Sequence, residues 1–301
     1  MKTPKPHPLA FAALIVGNAA LAFGPWLVRL SDVGPVAAGF WRMALALPFL
    51  WLVALGVKQQ PHWPSRALIG TLLLAAFFFA ADLAAWHTGI HRTKLGNATL
   101  FGNISSFAFA AWGLWLVRRW PSRMQGAALI LAAAGCALLM AGSYELSPRY
   151  FRGDLFALLA GLLYTGYLIL VERARGALTP LPLLLIVSLF GAVMLLPFAV
   201  AIGEQVWPSD WTPLLLLALG SQVVGQGLVV YAIGALPPLV VGLALLTQPA
   251  ISALIGWLAY GERLTALDWV GAFAIALALV LVRLPAGLRG RAPKPKMAAD
   301  A

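Results

Sequence analysis

The chain has 301 residues, 61% of them hydrophobic and only 10% charged, whereas a soluble domain carries about a quarter charged residues. Its net charge of +11 gathers in particular loops between apolar runs, the pattern that orients membrane proteins, so nucleic acid is not the expected partner. The single cysteine, Cys136, excludes an internal disulfide framework and a cysteine-rich metal site.

Residues 1–8 hold Lys2 and Lys5, and no small-residue cleavage site follows the first apolar run. That run reads as a retained first helix and not as a signal peptide. A bilayer core about 30 Å thick takes roughly 20 residues of helix, and ten stretches reach or approach that length. In chain order they are Leu9–Leu30, Pro35–Val57, Ala67–Thr88, Leu95–Val117, Gln125–Ala141, Asp154–Val171, Pro182–Ile202, Thr212–Ile233, Pro238–Tyr260 and Leu267–Leu284. Gly34-Pro35, Trp120-Pro121, Thr179-Pro180 and Pro237-Pro238 punctuate the joints. The joints are short, so consecutive helices are antiparallel neighbours. The expected fold is an all-α integral membrane bundle of ten transmembrane helices.

Ten spans place both termini on one side. With the N-terminus in the cytoplasm, cytoplasmic segments hold 14 Lys and Arg residues and outer segments hold 6, with Arg42 left inside a span. The positive-inside bias therefore puts both termini in the cytoplasm of a multi-pass inner-membrane protein. Arg92 and Lys94 form the one outer joint that runs against it.

The chain also looks duplicated. A displacement of 145 residues carries Trp112 onto Trp257, Arg118 onto Arg263, Gly126 onto Gly271 and Asn103 onto Gln248. The expected organisation is a first repeat at 9–141, a connecting loop at 142–153, a second repeat at 154–284 and a basic tail at 285–301. Five helices per repeat is an odd number, so the second copy enters the membrane upside down. Inverted repeats around a central site are a recurring plan of secondary transporters.

Pro249, the turn Gly261-Glu262 followed by Thr265, and Gly271 opening the last span together resemble the end of an EamA-type repeat of the drug/metabolite transporter superfamily. Phe40-Trp41-Arg42 is similar to the corresponding part of the first repeat. The first copy departs from the pattern, with Arg119-Trp120-Pro121-Ser122 in place of the Glu-containing turn and Ile104 facing Pro249. The resemblance implies a ten-helix carrier, often an exporter of amino acids or related small metabolites.

Charges inside the hydrocarbon are costly and mark function or a structural pair. Arg42 and Asp82 both lie about 10 Å below the outer surface at 1.5 Å per residue. They are expected to approach within salt-bridge distance in at least one state, as a structural pair or as a gate. His87 is either an interfacial residue or the carrier of a coupled proton. Asn18, Asn103, Tyr164, Gln222, Gln226 and Gln248 lie deep in their spans. Buried amides and hydroxyls either join helices or line a substrate cavity. The site reading places these six in a central cavity with Asp82 and Trp86 toward its outer mouth and Phe77, Phe78 and Phe79 as an aromatic wall. Such a cavity suits a zwitterion with an apolar side chain. Phe77–Phe79 as lipid-facing packing is the alternative.

The expected function is secondary transport of a small-molecule substrate, exchanged for a proton or a counter-substrate, without a cofactor, in contact with the lipid bilayer and with a homodimer as an option. A channel-like facilitator and an integral-membrane enzyme are the competing classes. The enzyme is disfavoured because no His-Glu-x-x-His, Gly-x-Ser-x-Gly or Walker motif is present. Topology is directly testable. On a Cys136→Ser background, a cysteine at Ser147 should react with an impermeant maleimide from outside, and one at Ser122 should not. The reverse labelling pattern overturns the orientation.

Overall fold

A computed structural model describes residues 8–59, 64–118, 120–141, 147–251, 254 and 265–283. Among them there is helix and no strand. The first half holds α1 (Pro8–Ala22), α2 (Gly24–Leu30), α3 (Pro35–Ala44), α4 (Ala46–Gly56), α5 (Arg66–Arg92), α6 (Leu95–Gly102), α7 (Ile104–Leu116) and α8 (Arg123–Ala141). The second holds α9 (Phe151–Ala174), α10 (Pro180–Ala201), α11 (Thr212–Leu216), a π-helical stretch Leu217–Gln226, α12 (Gly227–Ile233), α13 (Pro238–Leu245) and α14 (Ala266–Arg283). The Gly261-Glu262 turn, Trp257, Arg263, Arg119 and the tail after residue 283 lie outside the described residues.

Among the described residues, six helical runs are long and apolar enough to cross a membrane: Pro8–Leu30, Pro35–Gly56, Arg66–Arg92, Phe151–Ala174, Pro180–Ala201 and Thr212–Ile233. The remaining expected spans are shorter or interrupted among the described residues. Arg123–Leu139, Pro238–Ile251 and Ala266–Val282 are short apolar helices, and Leu95–Leu116 is broken between α6 and α7. Six clear spans in a helical bundle are thus shown among the described residues.

Local chemistry explains the boundaries. Proline stands in the first turn of α2, α3, α10, α11 and α13, where its missing N–H costs nothing and its fixed φ suits a helix. The Ser65 hydroxyl accepts from Leu68 N at 3.4 Å to cap α5. Several runs are not continuous. α1 and α2 meet at Phe23, α3 and α4 at Leu45, and α6 and α7 at Asn103, and the run after α13 turns at Leu246 and Thr247. Phe77, Trp115, Ile130, Val193 and Phe273 are exposed, as a bundle facing lipid requires.

The two halves interlock. α5 packs along α9, and α1 packs against the π-helical stretch and α12, so the first long run of each half lies on the third of the other. α10 closes on α3 and α4, α7 on α13, and α8 on α14. Lipid tails are as apolar as leucine, so association relies on close packing of small residues. Gly17 lies where a β-carbon would be 2.8 Å from Gly225 O, and Gly135 and Gly271 face each other with a β-carbon on either falling 2.6–2.7 Å from the other's carbonyl oxygen.

One end of the bundle carries a clasp between the joint after α2 and the joint after α10. Gly34 N donates to Gln205 O at 2.9 Å, Ala37 N to Glu204 Oε2 at 2.9 Å, and Trp41 Nε1 to Val206 O at 2.7 Å. Ser209 donates to Asp32 from its backbone N at 2.7 Å and from its hydroxyl. These bonds hold the Asp32 carboxyl below its ordinary pKa. Their contribution is present above the unfolded pKa and is lost as pH falls through the lowered one. Trp207 and Trp211 pack on the Trp41 ring at 5.4 and 4.8 Å.

The glycine contacts generate a stability test. Gly135→Leu must push α8 from α14 and should cost about 1–3 kcal/mol, read as a lowered melting temperature in detergent. Gly126→Leu, which meets open space, should leave the melting temperature unchanged. Equal effects from the two substitutions would mean that the close approach contributes nothing.

Candidate functional site

The interlocked pairs α1/α12 and α5/α9 leave a cavity between them, with a volume of ≈ 80 Å³ available to the centre of a water-sized sphere. α5 presents Phe79, Asp82, Leu83, Trp86 and His87 to it, a run at three- and four-residue spacing that lies on one helical face. α9 contributes Gly161 and Tyr164, the π-helical stretch ends in Gln226, and Asn103, Ser105 and Ser106 come from the α6–α7 break. Arg42 of α3 and Gln248, beyond α13, complete the polar wall.

The break at Asn103 is what brings backbone to this wall. Asn103 Nδ2 donates to Thr99 O at 2.7 Å, which also accepts from Asn103 N at 3.0 Å, and Ser105 Oγ donates to Gly102 O at 2.9 Å. Ser106 N turns to Asn103 O, so the Ser105 hydroxyl satisfies the carbonyl that the interrupted helix frees. Gly102 leaves no room for a β-carbon under the Trp86 ring, and a β-carbon on Gly161 would lie 2.7 Å from Gly102 O. Glycine is required at both positions for the break to nest between α5 and α9.

Arg42 is buried, donates through Nε to Gln222 Oε1 at 3.1 Å, and lies 5.7 Å from the Phe79 ring centroid. Gln222 Nε2 donates onward to Ser188 Oγ at 2.9 Å, linking α3, the π-helical stretch and α10. Asp82 is buried on the same cavity. In this conformation no Arg42–Asp82 ion pair within 4.0 Å forms among the described residues; Gln222 and the Phe79 ring hold the guanidinium instead. Tyr164 OH donates to Gln226 Oε1 at 3.1 Å, while the buried Gln226 Nε2 has no acceptor among the described residues. His87 Nδ1 lies 3.0 Å from Pro35 O. A carbonyl only accepts, so Nδ1 carries the proton and leaves Nε2, buried and without a partner among the described residues, as a lone-pair acceptor.

Of the eight residues singled out from sequence for substrate contact, Asp82, Trp86, Asn103, Tyr164, Gln226 and Gln248 share this cavity. Asn18 and Gln222 are not on its wall. Asn18 Nδ2 donates to Ala244 O and Leu245 O at 3.2 Å each and to Thr247 Oγ1 at 2.8 Å, which ties α1 to the second helix break. Of the three phenylalanines, Phe79 lines the cavity and stacks on Tyr167 at 4.3 Å. Phe77 is 53% exposed and Phe78 packs over Gly166. Ser105 and Ser106 were legible beside Asn103 as polar groups deep in an apolar run, whereas sequence reasoning missed Gly102, Gly161 and the break they seat. The clustering of small and hydroxyl residues around Asn103 is the signal that would have found it.

Comparison with known proteins agrees with this architecture. The EamA-like transporter family matches residues 7–141 and again 151–284. An uncharacterised transporter of Bacillus subtilis (strain 168), YwfM, is 23% identical over 256 residues, covering 82% of this chain and 84% of its own length. A solved crystal structure superposes with a TM-score of 0.72 over 91% of this chain and 95% of its own at 15% identity, which shows the fold alone. A helical bundle of apolar spans, two interlocked halves and a twice-matching family leave one conclusion: this is a multi-pass membrane protein that belongs to the EamA-like transporter family.

Proposed function

We propose that this protein is a secondary carrier that exports a small metabolite, such as an amino acid or related amphipathic compound, across the inner membrane by alternating access. Its full complement is ten helices in two inverted five-helix repeats with both termini in the cytoplasm. The observation that carries this reading is the cavity between the interlocked pairs, which holds one buried cation, Arg42, and one buried carboxylate, Asp82, without a direct bond between them. Burying unpaired charges is costly, and a dipolar substrate offsets that cost. Its carboxylate meets the guanidinium N–H groups that Gln222 does not use, and its ammonium meets Asp82. The apolar body rests between Phe79 and Trp86, and the unpartnered Gln226 Nε2 supplies a further donor. His87 Nε2 is the acceptor available to a coupled proton.

Counterflow in proteoliposomes tests the class. Preloaded unlabelled substrate should accelerate saturable uptake of labelled substrate, screened across amino acids, polyamines, nucleosides and cationic drugs. Flux without saturation or counterflow identifies a channel-like facilitator instead.

Two substitutions separate site from scaffold. Gln248→Leu should cut transport about tenfold, the worth of one hydrogen bond of roughly 1.4 kcal/mol, with an unchanged melting temperature. Asn18→Leu should lower stability by about 1 kcal/mol and leave transport per folded molecule intact. The opposite assignment of effects would place the substrate elsewhere in the bundle. Within the site, Arg42→Gln should weaken substrates that carry a carboxylate, and Asp82→Asn those that carry an ammonium. Equal losses for both substrate types would remove the two charges from recognition.

A further inference from the structure

Two arginines outside the cavity make the same contact at opposite ends of the bundle. Arg29, at the end of α2, donates to Ile90 O from Nε at 3.3 Å and from Nη2 at 2.9 Å, and to Thr93 O from Nη2 at 3.0 Å. Ile90 lies in the last turn of α5. Arg175, which caps the end of α9, donates to Val230 O from Nε at 3.0 Å and to Leu178 O from Nη1. Val230 lies in α12, whose C-cap Gly234 has no space for a β-carbon because the guanidinium occupies it, with Cζ at 2.6 Å and Nε at 2.7 Å from that position. Helix C-termini leave carbonyls without intrahelical donors and carry the negative end of the macrodipole, so a forked cation is well matched to both places.

The two contacts are related by the duplication. Arg175 follows Arg29 by 146 residues, against the 145-residue displacement of the repeats. Each arginine ends the first helical run of its half and grips the third run of the same half. Because α1 packs on α12 and α5 on α9, each grip joins the two pairs that flank the cavity. The antiparallel course of the helices puts the α2 and α5 ends on one face and the α9 and α12 ends on the other.

We propose that Arg29 and Arg175 are a matched pair of latches, each holding one end of the cavity shut, released one at a time as the carrier cycles. Neither touches the cavity wall, so they are positioning residues that set which face the site opens to. The inference rests on the alternating-access reading above.

The test uses the full chain with Cys136→Ser and a reporter cysteine in place of the cavity residue Leu21. Labelling rates by an impermeant maleimide are measured on right-side-out and inside-out vesicles. Arg29→Gln should raise the rate from the Arg29 face relative to the other by about tenfold, and Arg175→Gln should shift the ratio by a similar factor in the opposite direction. Arg29→Lys and Arg175→Lys keep the charge and lose the fork, so they should shift the ratio in the same directions by less. They supply the reading if a glutamine variant does not accumulate. Ratios that stay fixed, or that move the same way in both variants, overturn the latches. Two controls keep that failure apart from failure of the carrier reading. If the reporter labels from both faces and counterflow is present, but the arginine changes do nothing, the latches alone are wrong. If the reporter labels from one face under every condition and counterflow is absent, alternating access is wrong and the latches fall with it.

Discussion

Everything in this bundle answers to one constraint: a backbone carbonyl or N–H in hydrocarbon must find its partner within the protein. Continuous helices meet it automatically, as α5 and α9 do while presenting Asp82 and Tyr164 to the cavity. At two of its interruptions, at Asn103 and after Leu245, the chain sets short polar side chains on the carbonyls beside the break. At the α6–α7 break the repair is local, from Asn103 and Ser105 to Thr99 O and Gly102 O. At the second break Thr247 donates to Ala244 O from its backbone N and hydroxyl, and Asn18 of α1 adds donors to Ala244 O, Leu245 O and Thr247 Oγ1 from outside. The repairs explain where amides are needed before any substrate is considered.

The π-helical stretch Leu217–Gln226 is a third device of the same kind. A π-helix rotates the residues that follow it relative to an α-helix and often stands at functional sites. Here it places Gln222 against Arg42 and leaves Gln226 on the cavity wall, meeting Tyr164. The cation at Arg42 is thus held by an amide that is itself held by Ser188. The guanidinium is fixed in place while part of its hydrogen-bonding capacity stays open.

The interlocking of the halves gives these local devices their joint geometry. With α1 on α12 and α5 on α9, each wall of the cavity is assembled from both repeats. Close glycine contacts such as Gly17 with Gly225 O hold each pair tightly within itself.

Hydropathy made the membrane class and the helical fold legible, and residue matches at one offset, Trp112 with Trp257 and Gly126 with Gly271, made the duplication so, because apolar length and a repeated offset are properties of the chain in one dimension. Six of the eight selected site residues share the cavity for a similar reason: a polar group deep in an apolar run has few places to go. The fates of Asn18 and Gln222 were not legible. An amide that repairs a helix break and one that lines a cavity have the same composition and depth, and only the partner helix distinguishes them. The Arg42–Asp82 separation and the roles of Phe77, Phe78 and Phe79 depended likewise on how α5 is rotated against α3 and α9. The sequence by itself determined what must be buried in lipid; the tertiary structure decided which buried polar groups satisfy one another and which remain open, because hydrogen-bond pairing across helices is set by their packing and not by their order along the chain.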